Sequence, residues 1–179
     1  MAKKALINVV DVEATCGDDV ETSEIIQIGI VAINLETDEM IQQRRVYVKP
    51  ICSEITKFCT ELTGITKADV QSAPLFEEAM NGLFDEFKLS RRPWVSWGDY
   101  DREAFVKMGH LYHTRYYFGK THTNLKNTFA MFSGLQRGLG LRGALDRLGM
   151  DFEGSQHDGL DDAINIARVL LEMKRRITI

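Results

Sequence analysis

The feature that constrains this chain most is the way its first apolar run ends. Residues Ala5–Asp11 are dense in aliphatic and β-branched side chains, the pattern of a buried strand, and the run closes on Asp11-Val12-Glu13. Side chains alternate along a strand, so Asp11 and Glu13 share one face and Val12 takes the other. Two carboxylates on one face of a central strand are costly unless something cationic sits between them. Hard oxygen ligands of this kind suit a divalent cation such as Mg²⁺ or Mn²⁺. The competing reading is plain: acids at a strand end are often simply solvated.

The rest of the chain reads as α/β. Ile25–Leu35 is a second apolar run, interrupted by Gln27 and Gly29. Glu36–Met40 reads as a turn, and Gln42–Lys49 as a third strand ended by Pro50. The short linkers predict an antiparallel meander for these three strands. Glu54–Leu62 and Lys67–Val70 read as short helices joined at Thr63-Gly64. Pro74 is placed at N1 of a helix carrying Leu75, Phe76, Ala79, Met80, Leu83, Phe84 and Phe87 at helical spacing. Trp94–Trp97 reads as a short central strand. Asp101–Tyr112, Asn124–Phe132, Leu141–Leu148 and Leu160–Arg176 read as helices, the last with acids at its start and cations at its end, as the helix dipole favours. The expectation is a mixed sheet covered by helices, in a single domain spanning 1–179.

Composition narrows the classes. With 44% hydrophobic and 27% charged residues, the chain is neither disordered, collagen-like nor a small disulfide scaffold. No apolar run approaches the roughly 20 residues needed to span a bilayer, and Met1–Leu6 leaves no room for a signal peptide. Cys16, Cys52 and Cys59 are odd in number and lack CxxC spacing, so they read as reduced thiols of a cytoplasmic protein. Net charge is −4, but the 42 residues Ala104–Leu145 hold no Asp or Glu and six cations: Lys107, Arg115, Lys120, Lys126, Arg137 and Arg142. The remainder therefore carries −10. His110, His113, His122, Tyr112, Tyr116, Tyr117 and Phe118 fall in the same stretch. Such asymmetry hints at a surface facing a polyanion. A solvated basic loop with core aromatics is the alternative.

Two further motifs join the first pair of acids. In Trp97-Gly98-Asp99-Tyr100-Asp101 a strand ends, a glycine turns the chain and Asp101 opens a helix; an N-cap role for Asp99 or Asp101 is the simpler account. In His157-Asp158-Gly159-Leu160-Asp161-Asp162 an N-cap role for Asp161 leaves His157 and Asp162 unexplained.

Asp11-x-Glu13, Asp101 and His157-x4-Asp162, in that order and on those elements, resemble the three motifs of the DEDDh 3′–5′ exonucleases. More narrowly, the strings at 11–16, 58–66 (Phe-Cys-Thr-Glu-Leu-Thr-Gly-Ile-Thr), 96–101 and 159–168 resemble the Eri-type subgroup, which includes histone-mRNA 3′-end exonucleases. The similarity runs from about Ile7 to Leu171. Ala14-Thr15-Cys16 stands where the proofreading type has Thr-Thr-Gly, and Tyr100 where the subgroup often has Trp.

The resemblance implies a ribonuclease-H-like fold, a mixed five-stranded sheet with helices on both faces. It also implies hydrolysis of single-stranded RNA from 3′ ends with release of nucleoside 5′-monophosphates, assisted by two Mg²⁺ ions that Mn²⁺ can replace. Asp11, Glu13, Asp101 and Asp162 would be the metal ligands and His157 the general base. Leu62 and Tyr100 would sandwich the terminal base, with Ala14, Phe58 and Thr63 beside the terminal nucleotide; ordinary helix packing is the alternative for Leu62 and Phe58. The expected partner is a nucleic-acid 3′ end, RNA favoured over DNA, with no membrane involved. A proofreading-type DNA exonuclease would use the same five residues, and a silent nucleic-acid-binding module would share the fold.

Overall fold

The computed structural model describes residues 5–16 and 22–177. Met1–Lys4, most of the segment considered for a signal peptide, lie outside them. Five strands form one sheet in the order β3-β2-β1-β4-β5. Strands β1 (Leu6–Ala14), β2 (Ile25–Asn34) and β3 (Glu39–Tyr47) are antiparallel neighbours, while β4 (Trp94–Ser96) and β5 (His122–Asn124) run parallel to β1. The meander and the mixed sheet are those expected.

Strand β1 runs three residues beyond Asp11, because Glu13 and Ala14 still pair with Gln27 and Ile25. A register shift between Glu13 and Ala14 ends the regular ladder at the acidic pair. The turn before β3 is shorter than the sequence suggests, since Glu39 and Met40 pair with Asn34 and Ile33.

Even and odd positions of the sheet feed separate cores. Val10, Val12, Ile28 and Ile30 pack under α3 (Phe76–Glu86) and α4 (Tyr100–Leu111). Val9, Val31, Ile33 and Val95 pack against α5 (Leu125–Phe132), α6 (Leu141–Leu148) and α7 (Gly159–Ile177). Helices thus cover both faces, and the alternation that buries Val9 sends Asp11 and Glu13 toward α7. A smaller cluster joins α1 (Lys57–Thr63) and α2 (Lys67–Gln71) to the strands through Ile26, Cys59, Ile65 and Val70.

Two boundaries differ for local reasons. Pro74 is not at N1: its carbonyl accepts from Lys49 N at 2.9 Å, and α3 begins only after the extended Leu75. Helix α1 starts at Lys57, because Thr56 caps it by accepting from Cys59 N at 3.1 Å. The three cysteines are free, and among the described residues no helix is long and apolar enough to cross a membrane.

Candidate active site

Asp11, Glu13, Asp101, His157 and Asp162, drawn from three separated segments, line one cleft of about 300 Å³ together with Trp97, Tyr100 and Leu141. The turn that delivers Asp101 depends on Gly98, whose φ of 126° lies where side chains are rarely tolerated. One turn later the buried Asp101 carboxylate accepts from the backbone N of Val12 at 3.0 Å. The second motif is thereby bonded to the strand between its two acids. Neither aspartate behaves as the simple helix cap. Asp99 occupies the N-cap position without a side-chain capping bond, and its carboxylate instead accepts from Asn124 Nδ2 at 2.7 Å.

The third motif is held by residues that the spacing of charges did not reveal. Asp158, not Asp161, caps α7, accepting from Leu160 N and Asp161 N at 3.1 Å each. Its carboxylate also pairs with Arg45 of β3 at 2.6 Å. Arg45 reaches Asp161 at 3.3 Å, so Asp158 and Asp161 both pair with a cation from β3. Asp162 turns inward and is buried. His157, at φ 63°, donates its backbone N–H to Asp162 Oδ2 at 2.8 Å.

The helix end itself rests on the two residues that break the apolar run of β2. Gln27 accepts from Gly159 N, and a Cβ on Gly29 would lie 1.9 Å from the Gly159 carbonyl oxygen. A Cβ on Gly159 would in turn meet the Asp11 carbonyl at 3.2 Å. Backbone-to-backbone contact at these glycines is what brings His157 and Asp162 beside Asp11. The available signal was a buried amide and a glycine interrupting an otherwise aliphatic strand.

Crowding four carboxylates in a poorly solvated cleft shifts them all in one direction. Burial, then Asp101, Asp162 and Glu13, push Asp11 well above the ordinary carboxylate range. Burial followed by repulsion from Asp162 and Asp101 raises Glu13 to about 8. Asp162 is raised by burial to about 7, even with the His157 amide pulling it down. Asp101 is raised by burial to about 6, opposed by the Val12 amide. The charges acting on Asp11 and Glu13 are all carboxylates. Oxygen or nitrogen ligand atoms of Glu13, His157 and Asp162 lie within 4.8 Å of one another. The donor set therefore fits a divalent cation: hard, anionic, converging and without a cationic side chain among the described residues to balance it.

The residues expected at the terminal nucleotide divide into two groups. Tyr100, Phe58 and Leu62 are exposed, at 54%, 64% and 39%, so helix packing does not account for Phe58 and Leu62. Tyr100 lines the cleft directly. Ala14 and Thr63 are buried. The Thr63 hydroxyl donates to Cys59 O at 2.9 Å and accepts from Ile65 N at 3.1 Å, shaping the end of α1. The Ala14 carbonyl receives the thiols of Cys16 and Cys59, which fixes α1 against the end of β1.

The RNase_T family, described as "Exonuclease", matches residues 9–170 of this chain. The chain belongs to that exonuclease family. Human 3′-5′ exoribonuclease 1 is 33% identical over 93% of the chain and 52% of its own length, and human ERI1 exoribonuclease 2 is 30% identical over 93% and 28%. The chain spans about half the length, or less, of these curated relatives. The nuclease domain of 3′hExo, a DEDDh family member solved bound to rAMP, superposes with a TM-score of 0.90 at 30% identity, covering 98% of this chain and 94% of that one. This places the exonuclease in the DEDDh group with the ribonuclease-H-like fold. E. coli exonuclease I, solved with a dT13 oligonucleotide, shares the fold at a TM-score of 0.80 and 13% identity over 98% of this chain and 42% of its own.

Proposed function

We propose that this exonuclease removes nucleoside 5′-monophosphates one at a time from the 3′ ends of single-stranded RNA, and that it does so in the cytoplasm. The observation that carries the reading is the meeting of Asp11, Glu13, Asp101, Asp162 and His157 in one cleft rimmed by an exposed tyrosine. The names of its relatives, exoribonucleases, and the rAMP bound by 3′hExo favour RNA over DNA.

The four carboxylates would hold two Mg²⁺ ions, with Mn²⁺ as a substitute. When bound, such ions neutralise the cleft and stabilise charge on the phosphate as it is attacked. His157 takes a proton from the attacking water while the new bond to phosphorus forms and the bond to the 3′ oxygen breaks. Its position is set through the backbone, by the bond to Asp162 and by the cap that Asp158 places on α7. Asp101, tied to Val12, keeps its carboxylate aimed across the β1 acids. Tyr100, Leu62 and Phe58 offer apolar faces on which a terminal base of any identity can stack, so base preference is weak.

The test is degradation of a 5′-labelled single-stranded RNA and the matching DNA with Mg²⁺, Mn²⁺ or EDTA, beside Asp11→Ala. A metal-dependent ladder shortening from the 3′ end, faster on RNA and lost in the variant, is expected. Faster loss of DNA would replace the substrate assignment, and binding without cleavage under either metal would overturn the activity.

A further inference from the structure

A second concavity opens on the other side of α4's first turn. It has a volume of about 800 Å³ and is walled by Arg102, Val106, His110, Tyr116, Lys120 and His122. Three of its lining residues are cations, Lys107 being the third, against the single carboxylate of Glu103. Lys107 also bonds the Ser23 hydroxyl, whereas Lys120 stands exposed on the loop before β5. Val106 and Tyr116, 43% and 40% exposed, put apolar surface between the cations. Most aromatic neighbours in this stretch are committed to the core: Tyr117 and Phe118 are buried, and Arg115 lies over Phe84 and Tyr117 rather than over the groove.

The floor is stiff. His122 lies tilted against Trp94, with ring centroids 4.3 Å apart, and bonds the Ser96 hydroxyl at 2.8 Å, and Trp94 stacks on Phe118 at 4.4 Å. Burial and then Arg102 push the His122 imidazole below its ordinary value, which favours the neutral ring. Groove and cleft take different faces of the first turn of α4. Tyr100 and Asp101 line the cleft and Arg102 lines the groove, each residue turning about 100° from the last.

We infer that this groove binds the sugar-phosphate backbone of single-stranded nucleic acid a few nucleotides upstream of the terminus held in the cleft. The occupant follows from charge and texture: cations spaced by apolar surface suit a flexible polyanion with stackable bases. A cationic site across the first turn of α4 from a strongly acidic cleft also gives the strand an anchor that the cleft alone does not supply. The inference rests on the reading that the cleft takes a nucleic-acid end, and it assigns the length dependence of binding to Arg102 and Lys120.

The experiment is anisotropy titration of the full chain, in EDTA so that no hydrolysis intervenes, with labelled single-stranded RNAs of about 20 and about 3 nucleotides at several salt concentrations. Wild type should bind the long RNA at least tenfold more tightly. Arg102→Glu/Lys120→Glu should abolish most of that ratio and lower the salt slope by about 1.4, roughly 0.7 for each lost phosphate contact. Because Arg102 adjoins Asp101, Lys120→Glu alone is the second variant, with about half the change in slope. Arg175→Glu, in the last turn of α7, controls for net charge and should leave the ratio in place. Equal affinity for both lengths in the wild type, or equal loss for both in the variants, overturns the groove assignment. Failure of the cleavage test with the length dependence intact would instead count against the exonuclease reading alone.

Discussion

Asp101 and Arg102 are neighbours in the chain and belong to opposite electrostatic worlds. Asp101 is buried in a cleft whose carboxylates are all pushed toward protonation, whereas Arg102 opens on a groove with three cations and one acid. The cleft is built from four acids that repel one another and is held by backbone: the Val12 amide on Asp101, the His157 amide on Asp162, the Gly29–Gly159 contact under α7. The groove is built from side chains on one helix, one loop and the first residue of β5. The difference teaches that charges meant to bind a cation need a rigid frame, since nothing in the apo cleft favours their approach, while charges meant to track a flexible polyanion do not.

The comparison breaks hardest at the cleft. Asp101→Asn should remove cleavage by about three orders of magnitude or more, as loss of one anchored ligand does in metal-assisted phosphate chemistry, while leaving the length dependence of RNA binding in EDTA unaltered. Single-turnover rates and anisotropy on the same preparation decide this. His157→Ala should cost roughly 10²–10⁴ in kcat, the usual worth of a general base, with metal affinity by calorimetry unchanged. A matching fall in metal affinity would make His157 a ligand beside Glu13 and Asp162, an arrangement their spacing also permits.

The frame is tested next. Gly29→Ala forces a methyl group into the Gly159 backbone and should cost about 1–3 kcal/mol, as overpacking commonly does, lowering Tm by about 2–4 °C for each kcal/mol in a chain of this size. Activity should fall further than stability, because the shifted helix end carries His157 and Asp162. Leu62→Ala, on an exposed position of α1, should instead raise KM about tenfold by loss of base stacking and leave Tm essentially unmoved.

The last test is a pH signature. Glu13, Asp162 and Asp101, raised to about 8, 7 and 6, keep protons in the folded apo protein that the unfolded chain has already released. The native state binds more protons across that window, so apo stability falls as pH rises from about 4 to about 8. Mg²⁺ or Mn²⁺ displaces those protons, so the gain in Tm on adding metal should be larger at pH 8 than at pH 5. Thermal scans in EDTA and in metal at both values measure it.

Much of this was legible without coordinates. The meander followed from short linkers between apolar runs, and the helices α3 to α7 from periodicity, correct to within a few residues at most ends. Strand β5 was not legible, because His122-Thr123-Asn124 is only half-buried, polar and three residues long, and becomes a strand by pairing with β4. Pro74 misled for a related reason. A proline suits N1 by its φ alone, but here its carbonyl is claimed by Lys49 across the chain.

The division of labour between sequence and tertiary structure is sharpest in the third motif. By itself the sequence singled out His157 and Asp162, since an N-cap role for Asp161 left both unexplained, and it determined the strand parity that puts Asp11 and Glu13 on one face. Only the tertiary structure decided that Asp158 rather than Asp161 caps α7, that Arg45 pairs with both of those acids, and that Gln27 and Gly29 form the seat of the helix. The physical reason is range. Alternation, capping and helical spacing act over a few residues and are written in order along the chain. A contact between Gly29 and Gly159 depends on two backbones meeting, and a residue without a side chain leaves no local pattern to announce it.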